Sequence, residues 1–349
     1  MNIGVITGYW STNVGNAFFQ LGAQHALRQV FPNANIFPVP DAAGYLRPAS
    51  DNPRNSFDLL GELEMDYLVI LGPFIRPEFE IILAPALRKL AQKGTQFLAM
   101  GVGMMSYDNT TIGSAIRIIQ DLPFRLLVTR DTPTYEAFHA CFPASLDGVD
   151  VAFFVSDVWP ESQRLKRAKP YLAFNFDQTP EPEFRLSDSG YDGLAADLNG
   201  DRYAIHFPRL RRQWSSRGFI PQLIERSLFP QTVAHEMAGF DILRTDHRCN
   251  PAIPRKLYTS PQTFTSDVPW PYLSIYAGAE ATFSNRVHAC AATLAYGKPA
   301  MLFSDTPRAH LLDRVGARTI KSKLTSIDLE KLASEKQQII QFIGDTLNA

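Results

Sequence analysis

Short apolar runs alternate along this chain with stretches whose apolar residues recur every three or four positions. The runs at 2–7, 66–71, 96–100 and 126–129 suit strands covered on both faces. The stretch from 17 to 31, with Phe18, Leu21, Leu27, Val30 and Phe31 on one stripe, suits a helix that Pro32 stops. Helical spacing returns at 84–92, 112–121 and 133–140, and the apolar residues 150–154 read as the last strand of this half. Strands and helices taking turns over the first ~155 residues predict a parallel, doubly wound sheet.

Composition changes at 159–170, where Pro160, Glu161, Arg164, Lys166, Arg167 and Lys169 predict an exposed linker. Beyond it, strands are expected at 171–175, 203–207 and 241–245, and helices at 219–229 and 232–238. Weakly apolar residues 178–200 and proline-rich residues 250–271 read as loops. The chain is thus α/β throughout, with one domain at 1–165 and a second at 166–349 that closes with an amphipathic helix at 328–347.

Residues 280–303, EATFSNRVHACAATLAYGKPAMLF, read as strand, helix, strand. Ser284 is placed to cap the helix, Gly297 to end it in a left-handed conformation, and Pro299 to prevent its continuation. Arg286 and His288 then fall in the first turn, where free backbone N–H groups and the helix dipole attract an anion. A fixed cation, a titratable imidazole and a helix start together predict a phosphate or carboxylate site. Elsewhere the signals are thinner. Gly101-Val102-Gly103 lacks the third glycine of a dinucleotide fingerprint, and Arg130-Asp131 stands where an Asp can cap the next helix. Arg209, Arg211, Arg212 and Arg217 follow a strand with no acidic residue between them. His235-Glu236 has no second histidine at zincin spacing.

Charge and cysteine content narrow the field. With 34 Lys+Arg against 35 Asp+Glu the net charge is -1, so no basic field argues for a nucleic-acid partner. No apolar run approaches the roughly 18 residues that cross a bilayer, and no signal core precedes the strand at 2–7. A cytoplasmic protein is expected. Cys141, Cys249 and Cys290 are odd in number and far apart, which implies neither a disulfide framework nor a zinc site.

Taken in order, Asn13-x-Gly15-Asn16, Gly101-x-Gly103, Arg130-Asp131, Asp150-x-Ala152-Phe153 and Ser284-x-Arg286-x-His288-Ala289 followed by Gly297-x-Pro299 resemble the polysaccharide pyruvyl transferase family. The resemblance implies two Rossmann-like lobes facing across a cleft, the glycosyltransferase B-type architecture. It implies transfer of pyruvate from phosphoenolpyruvate to a pair of sugar hydroxyls in a cell-surface polysaccharide precursor, forming a cyclic ketal. On this footing Arg286 and His288 are the catalytic pair. Ser284, Asn285, Arg209, Arg211, Gly101 and Gly103 complete the donor side, and Asn13, Gly15, Asn16, Arg130 and Asp131 the acceptor side. The partners implied are phosphoenolpyruvate and a sugar or lipid-linked glycan; no cofactor or metal is required. A lipid-linked acceptor would bring the protein to the inner face of the membrane as a peripheral contact, and homo-oligomerisation stays open.

A histidine near pKa 6.5 suits the chemistry, because C3 of the donor must be protonated as a hydroxyl attacks C2. Two other readings fit the same fold: a nucleotide-sugar-dependent glycosyltransferase and a non-catalytic homologue that binds a glycan or an anion. The chain departs from the family in two places. It has Gly72-Pro73-Phe74 where members often carry a glycine-rich run, and Asn175-Phe176-Asp177 where they often place an arginine.

Overall fold

Six parallel strands form the first sheet: β1 (Asn2–Thr7), β2 (Asn35–Pro40), β3 (Tyr67–Ile75), β4 (Gln96–Met104), β5 (Phe124–Thr129) and β6 (Ser145–Asp147). The computed structural model describes residues 1–7, 10, 13–40, 60–75, 83–177, 181–188, 190–207, 234–247 and 261–348. The helix expected at 219–229 and the arginines at 209, 211, 212 and 217 lie outside them.

Strand order is β2-β1-β3-β4-β5-β6, so the winding direction reverses between β1 and β3. In open α/β sheets, ligands gather beyond the carboxyl ends of the strands at such a reversal. Helices α1 (Gly15–Val30), α2 (Ala84–Gln92), α3 (Asn109–Gln120) and α4 (Thr132–Phe138) connect the strands. β2 was not visible in the apolar pattern because Pro38 and Pro40 interrupt it; it is an edge strand, where missing N–H groups are tolerated.

Residues 150–154 are not a strand. Asp150 accepts a hydrogen bond from the Ala152 N–H at 2.8 Å and turns the chain into a 3-10 helix, Val151–Phe154, which runs on into one helical turn, Val155–Val158. The residues are apolar on every side because α1 covers one face and the second lobe another.

The second lobe opens with β7 (Tyr171–Asn175), and the expected loop at 178–200 contains strands. An antiparallel sheet of β8 (Glu183–Ser187), β9 (Ala195–Leu198) and β10 (Asp201–His206) fills this region in the order β8-β10-β9. Asn199 and Gly200, with φ of 52° and 88°, are the two-residue turn that joins β9 to β10. Residues 236–237, expected within a helix, form β11 (Glu236–Met237) instead. The turn Ala238-Gly239, also at positive φ, folds it back on β12 (Phe240–Thr245). β13 (Thr263–Phe264) pairs β12 within the proline-rich stretch read as loop. After α5 (Trp270–Gly278) come β14 (Ala281–Ser284), α6 (Val287–Ala295) and β15 (Ala300–Leu302). The parallel core of this sheet is β12-β7-β14-β15.

Every residue of α6 is buried, as expected of a helix that is apolar nearly all round. It is the wedge between the lobes: one side covers β14 and β15, and another meets α1 and the Val151–Phe154 turn. Its alanines allow close approach, and one apolar core runs from Phe18, Phe153 and Phe154 into Ala289, Ala292 and Leu294. Each such phenylalanine contributes roughly 1.5–3 kcal/mol relative to exposure. The terminal helix α7 (Leu329–Leu347), expected with the second domain, packs back on the first sheet. Ile339 lies over Gly148, and Lys336 donates to Ser156 Oγ at 3.1 Å and Asp157 Oδ2 at 2.8 Å.

The seam between α1 and the Val151–Phe154 turn tolerates no added volume at Gly22, where a Cβ would stand 1.8 Å from the Val151 carbonyl oxygen. Gly22→Ala is expected to cost at least about 1–3 kcal/mol. Gly113→Ala, in α3 with nothing within 4 Å of the added Cβ, should instead stabilise by up to about 1 kcal/mol. Thermal melts of the two variants check this; equal Tm values would refute the packing.

Candidate active site

The carboxyl ends of β5 and β14 face each other from the two lobes. Ser284 still pairs Asn175 and Leu302 in the sheet, so its hydroxyl cannot cap α6 as expected. It accepts the Arg286 N–H at 2.8 Å instead, and this bond turns the chain before the helix starts at Val287. Asn285, buried in that turn, donates its N–H to the Asn175 carbonyl at 3.0 Å. Arg286 is the boundary residue, with an extended backbone, and its Nε donates to Asp177 Oδ1 at 2.6 Å. The other oxygen of Asp177 accepts the His247 N–H at 3.1 Å. The Arg286 NH2 group is buried with no hydrogen-bond partner among the described residues.

His288, one residue into the helix, points at the first lobe. Its Nε2 stands 3.4 Å from Asp150 Oδ2, and its ring lies 5.2 Å from that of Phe19 on α1. Gly15 leaves room for it: a Cβ there would come within 3.2 Å of the His288 Cβ and 3.4 Å of Nδ1. Burial lowers the pKa of His288; the hydrogen bond and charge of Asp150 oppose this, and Arg130 and Arg308 reinforce it. Asp150 is fully buried, which by itself would raise its carboxyl. The contacts with His288 and Arg130 and the Ala152 N–H outweigh burial and hold it below the usual carboxylate range.

Arg130, at the end of β5, is 0% exposed. Its NH1 donates to Asp150 Oδ2 at 3.2 Å, whereas Nε and NH2 find no hydrogen-bond partner among the described residues. Gly103 makes its seat, since a Cβ there would fall 2.4 Å from Nε; Gly101, at φ 55°, likewise admits Val151. Both glycines lie within β4, which runs to Met104, past the strand end expected at Met100. Asp131 caps α4, accepting from the Thr134 N–H at 2.8 Å and the Thr134 hydroxyl at 2.6 Å. Tyr107 donates to the same carboxylate at 3.3 Å, and its ring meets His310 of the second lobe edge-on at 5.9 Å. Burial, with the Asp131 charge adding to it, pushes the Tyr107 phenol up to about 12.

Of the remaining expected residues, Asn13 accepts the Gly15 N–H at 3.2 Å and donates to Asn16 Oδ1 at 3.2 Å, shaping the start of α1 beside His288. The next residue, Val14, donates its N–H to the His247 carbonyl at 2.9 Å and so ties this turn to the second lobe. Arg209 and Arg211 lie outside the described residues.

Arg308 escaped the sequence reading. It follows β15 in a 3-10 helix, Pro307–Leu312, whose cap, Thr306, accepts the Arg308 N–H at 3.3 Å. Burial lowers its pKa to about 10, and repulsion by Arg130 and Arg286 adds to the effect, so the three guanidinium groups share one neighbourhood. The available signal was the Thr306-Pro307 helix start just after a strand. Three cations, a histidine and buried N–H groups without hydrogen-bond partners among the described residues make a setting that an ion with several negative oxygens would complete.

The model of one protein family, polysaccharide pyruvyl transferase, matches residues 13–306 and so takes in both lobes. The chain belongs to that family. Among curated proteins no sequence matches it. Of the solved structures it is similar to, S. aureus MnaA with UDP has a TM-score of 0.52 at 10% identity, covering 99% of this chain and 90% of that one. UDP-GlcNAc 2-epimerase from Neisseria meningitidis bound to UDP-GlcNAc has a TM-score of 0.47 at 10% identity, covering 99% and 93%. At such identity the likeness is one of fold, the glycosyltransferase B-type arrangement of two Rossmann-like lobes across a cleft. Among the described residues, no helix is long and apolar enough to cross a membrane.

Behind the site, His247 is fully buried against Tyr276, whose hydroxyl is 2.6 Å from Nε2, and burial lowers its pKa to about 3. The folded protein keeps this ring neutral, while the unfolded chain protonates an exposed histidine near pH 6.5. The unfolded state therefore takes up more protons as pH falls below about 6.5, and stability falls with it; His288 acts in the same direction. Tm should drop between about pH 7 and pH 5, and His247→Gln should flatten that slope. An unchanged slope in the variant would place the proton uptake elsewhere.

Proposed function

We propose that this protein transfers the pyruvyl group of phosphoenolpyruvate to two hydroxyls of a sugar, in the course of making a surface polysaccharide, and releases phosphate. The observation that carries the reading is that Arg130 and Arg308 act on His288 and Arg286 on Arg308, with buried donor groups on Arg130 and Arg286 that have no hydrogen-bond partner among the described residues. Family membership supports the reaction class.

The donor is small and dense in charge: a carboxylate beside a phosphate that itself carries about −1.5 to −2 near neutral pH. Arginine can hold either group through two parallel bonds. In the arrangement we infer, Arg130 and Arg308 grip the phosphate and Arg286 the carboxylate. Asp177 already fixes one edge of the Arg286 guanidinium. Two arginines from the second lobe and one from the first supply the positive charge that Asn175-Phe176-Asp177 does not.

His288 provides the proton. Its resting pKa is lowered by burial, and a bound dianion raises it, so the imidazole becomes an acid when the donor is in place. The protonated ring gives its proton to C3 of the donor, whose double-bond pair forms the new C–H bond and leaves C2 as an oxocarbenium centre. A sugar hydroxyl adds at C2, and its proton returns to His288. The C2–O bond to phosphate breaks with its electron pair, the second hydroxyl closes the ring at C2, and its proton leaves on the phosphate. One donor and two hydroxyls thus give one ketal and one inorganic phosphate.

Phosphoenolpyruvate should raise Tm, where uridine and guanosine diphosphate sugars do not. Arg308→Ala should weaken donor binding about 10- to 100-fold, the loss of roughly 1.5–3 kcal/mol from a charged hydrogen bond. His288→Gln should keep donor binding and lose phosphate release in the presence of pyranose acceptors. Stabilisation by a nucleotide sugar and not by phosphoenolpyruvate would overturn the proposal.

A further inference from the structure

The apolar residues after Asp150 gave it the look of a strand residue, and the roles assigned above leave it without one. Its surroundings are unusual for a carboxylate. It is 0% exposed, and donors from three separate places converge on its two oxygens. The Ala152 N–H meets Oδ1 at 2.8 Å, while Arg130 NH1 at 3.2 Å and His288 Nε2 at 3.4 Å share Oδ2. Arg130 belongs to the first lobe and His288 to the second, so this one oxygen spans the cleft.

We propose that Asp150 is a positioning residue that fixes the tautomer of His288 and makes Nδ1 the nitrogen through which the proton moves. An ionised carboxylate only accepts, so Nε2 must carry a hydrogen to face it, and the neutral ring then has a bare Nδ1. That atom makes no hydrogen bond among the described residues, and Gly15, which carries no side chain, lies beside it. A carboxylate behind a histidine, aligning the ring while the other nitrogen reacts, is the arrangement that serves both nucleophilic and metal sites. The long contact to Nε2 is of the kind that shortens when a site closes on its ligand.

The charges around the ring decide what Asp150 does for its proton affinity. From the first lobe, α1 sets Gly15 and Phe19, without charge, against the ring, and the end of β5 offers Arg130. From the second lobe come Arg308 and, more remotely, His247, which itself feels the His288 charge. Asp150 is thus the anion set against these cations, and without it His288 would protonate only at lower pH. The same carboxylate takes only NH1 of Arg130; Nε lies against Gly103, 4.0 Å from Asp131 Oδ2, and NH2 has no hydrogen-bond partner among the described residues.

The catalytic part of this inference rests on the pyruvyl-transfer reading; the tautomer does not, and the two are tested separately. Histidine labelled with 15N, assigned with His288→Gln, should show the neutral His288 ring as the Nε2–H tautomer in the wild-type protein. In Asp150→Asn, whose amide can meet either form of the ring, the signal should become a mixture or switch to Nδ1–H. In turnover, Asp150→Asn should lower kcat by about 100-fold or more, on the scale of losing general acid–base catalysis. The basic limb of its pH profile should move to lower pH, with phosphoenolpyruvate binding retained or tightened. An Nδ1–H tautomer in the wild type would overturn the proposal, as would wild-type kcat and an unshifted pH profile in the variant. Should the wild type show no turnover with phosphoenolpyruvate, the functional reading falls, and the 15N spectrum of the wild type still decides the role of Asp150.

Discussion

A guanidinium ion taken wholly out of water must be neutralised by what surrounds it, and Arg130 imposes that condition on the whole centre of this molecule. Gly103 gives it a bed, and Asp150 gives it a counter-charge. The same carboxylate reaches His288 across the cleft, so satisfying one buried cation also sets the position of the other lobe's imidazole. Two of the Arg130 nitrogens still have no hydrogen-bond partner among the described residues. Such unmet groups call for an explanation, and the anion proposed for this site would supply one.

The lobes are held together by more than this charge pair. α6 is largely apolar and wedged between two sheets, so separating the lobes would expose its alanines, Leu294 and the phenylalanines of the Val151–Phe154 turn together. The Val14–His247 backbone bond adds a polar stitch, and His247 in turn donates to the carboxylate that holds Arg286. The start of α1 is therefore coupled by three consecutive hydrogen bonds to Arg286, the residue proposed to hold the donor carboxylate. Movement of the lobes about the site has to act through this seam, which argues for local adjustment of loops over wide opening.

Much of the parallel scaffold could be read from the chain, because strands covered on both faces leave continuous apolar runs and their helices leave a stripe; α2 was bounded at the residues observed. The start of α6 was also legible, since Arg286 and His288 fell at the turn that the serine, glycine and proline mark out. What the pattern missed has identifiable causes. Pro38 and Pro40 hid an edge strand, and Asn199-Gly200, a hairpin turn in plain view, was passed over because the strands beside it are short and half polar. Asp150, though part of a motif, read as the start of a strand, and Arg308 was passed over, both for another reason. Their meaning lies in contacts across more than a hundred residues of chain, where no local spacing can record them.

The return of α7 to the first sheet has a consequence for how the protein is made. The surface over Gly148 is covered only when Ile339 arrives, and the whole second lobe lies between them in sequence. At roughly 5–20 residues per second, synthesis leaves that surface bare for on the order of 10 to 40 s. The first lobe therefore cannot complete its core as the leading fragment of a growing chain. Cutting the protein at the linker between its lobes would divide two sheets while leaving one of them permanently without its cover.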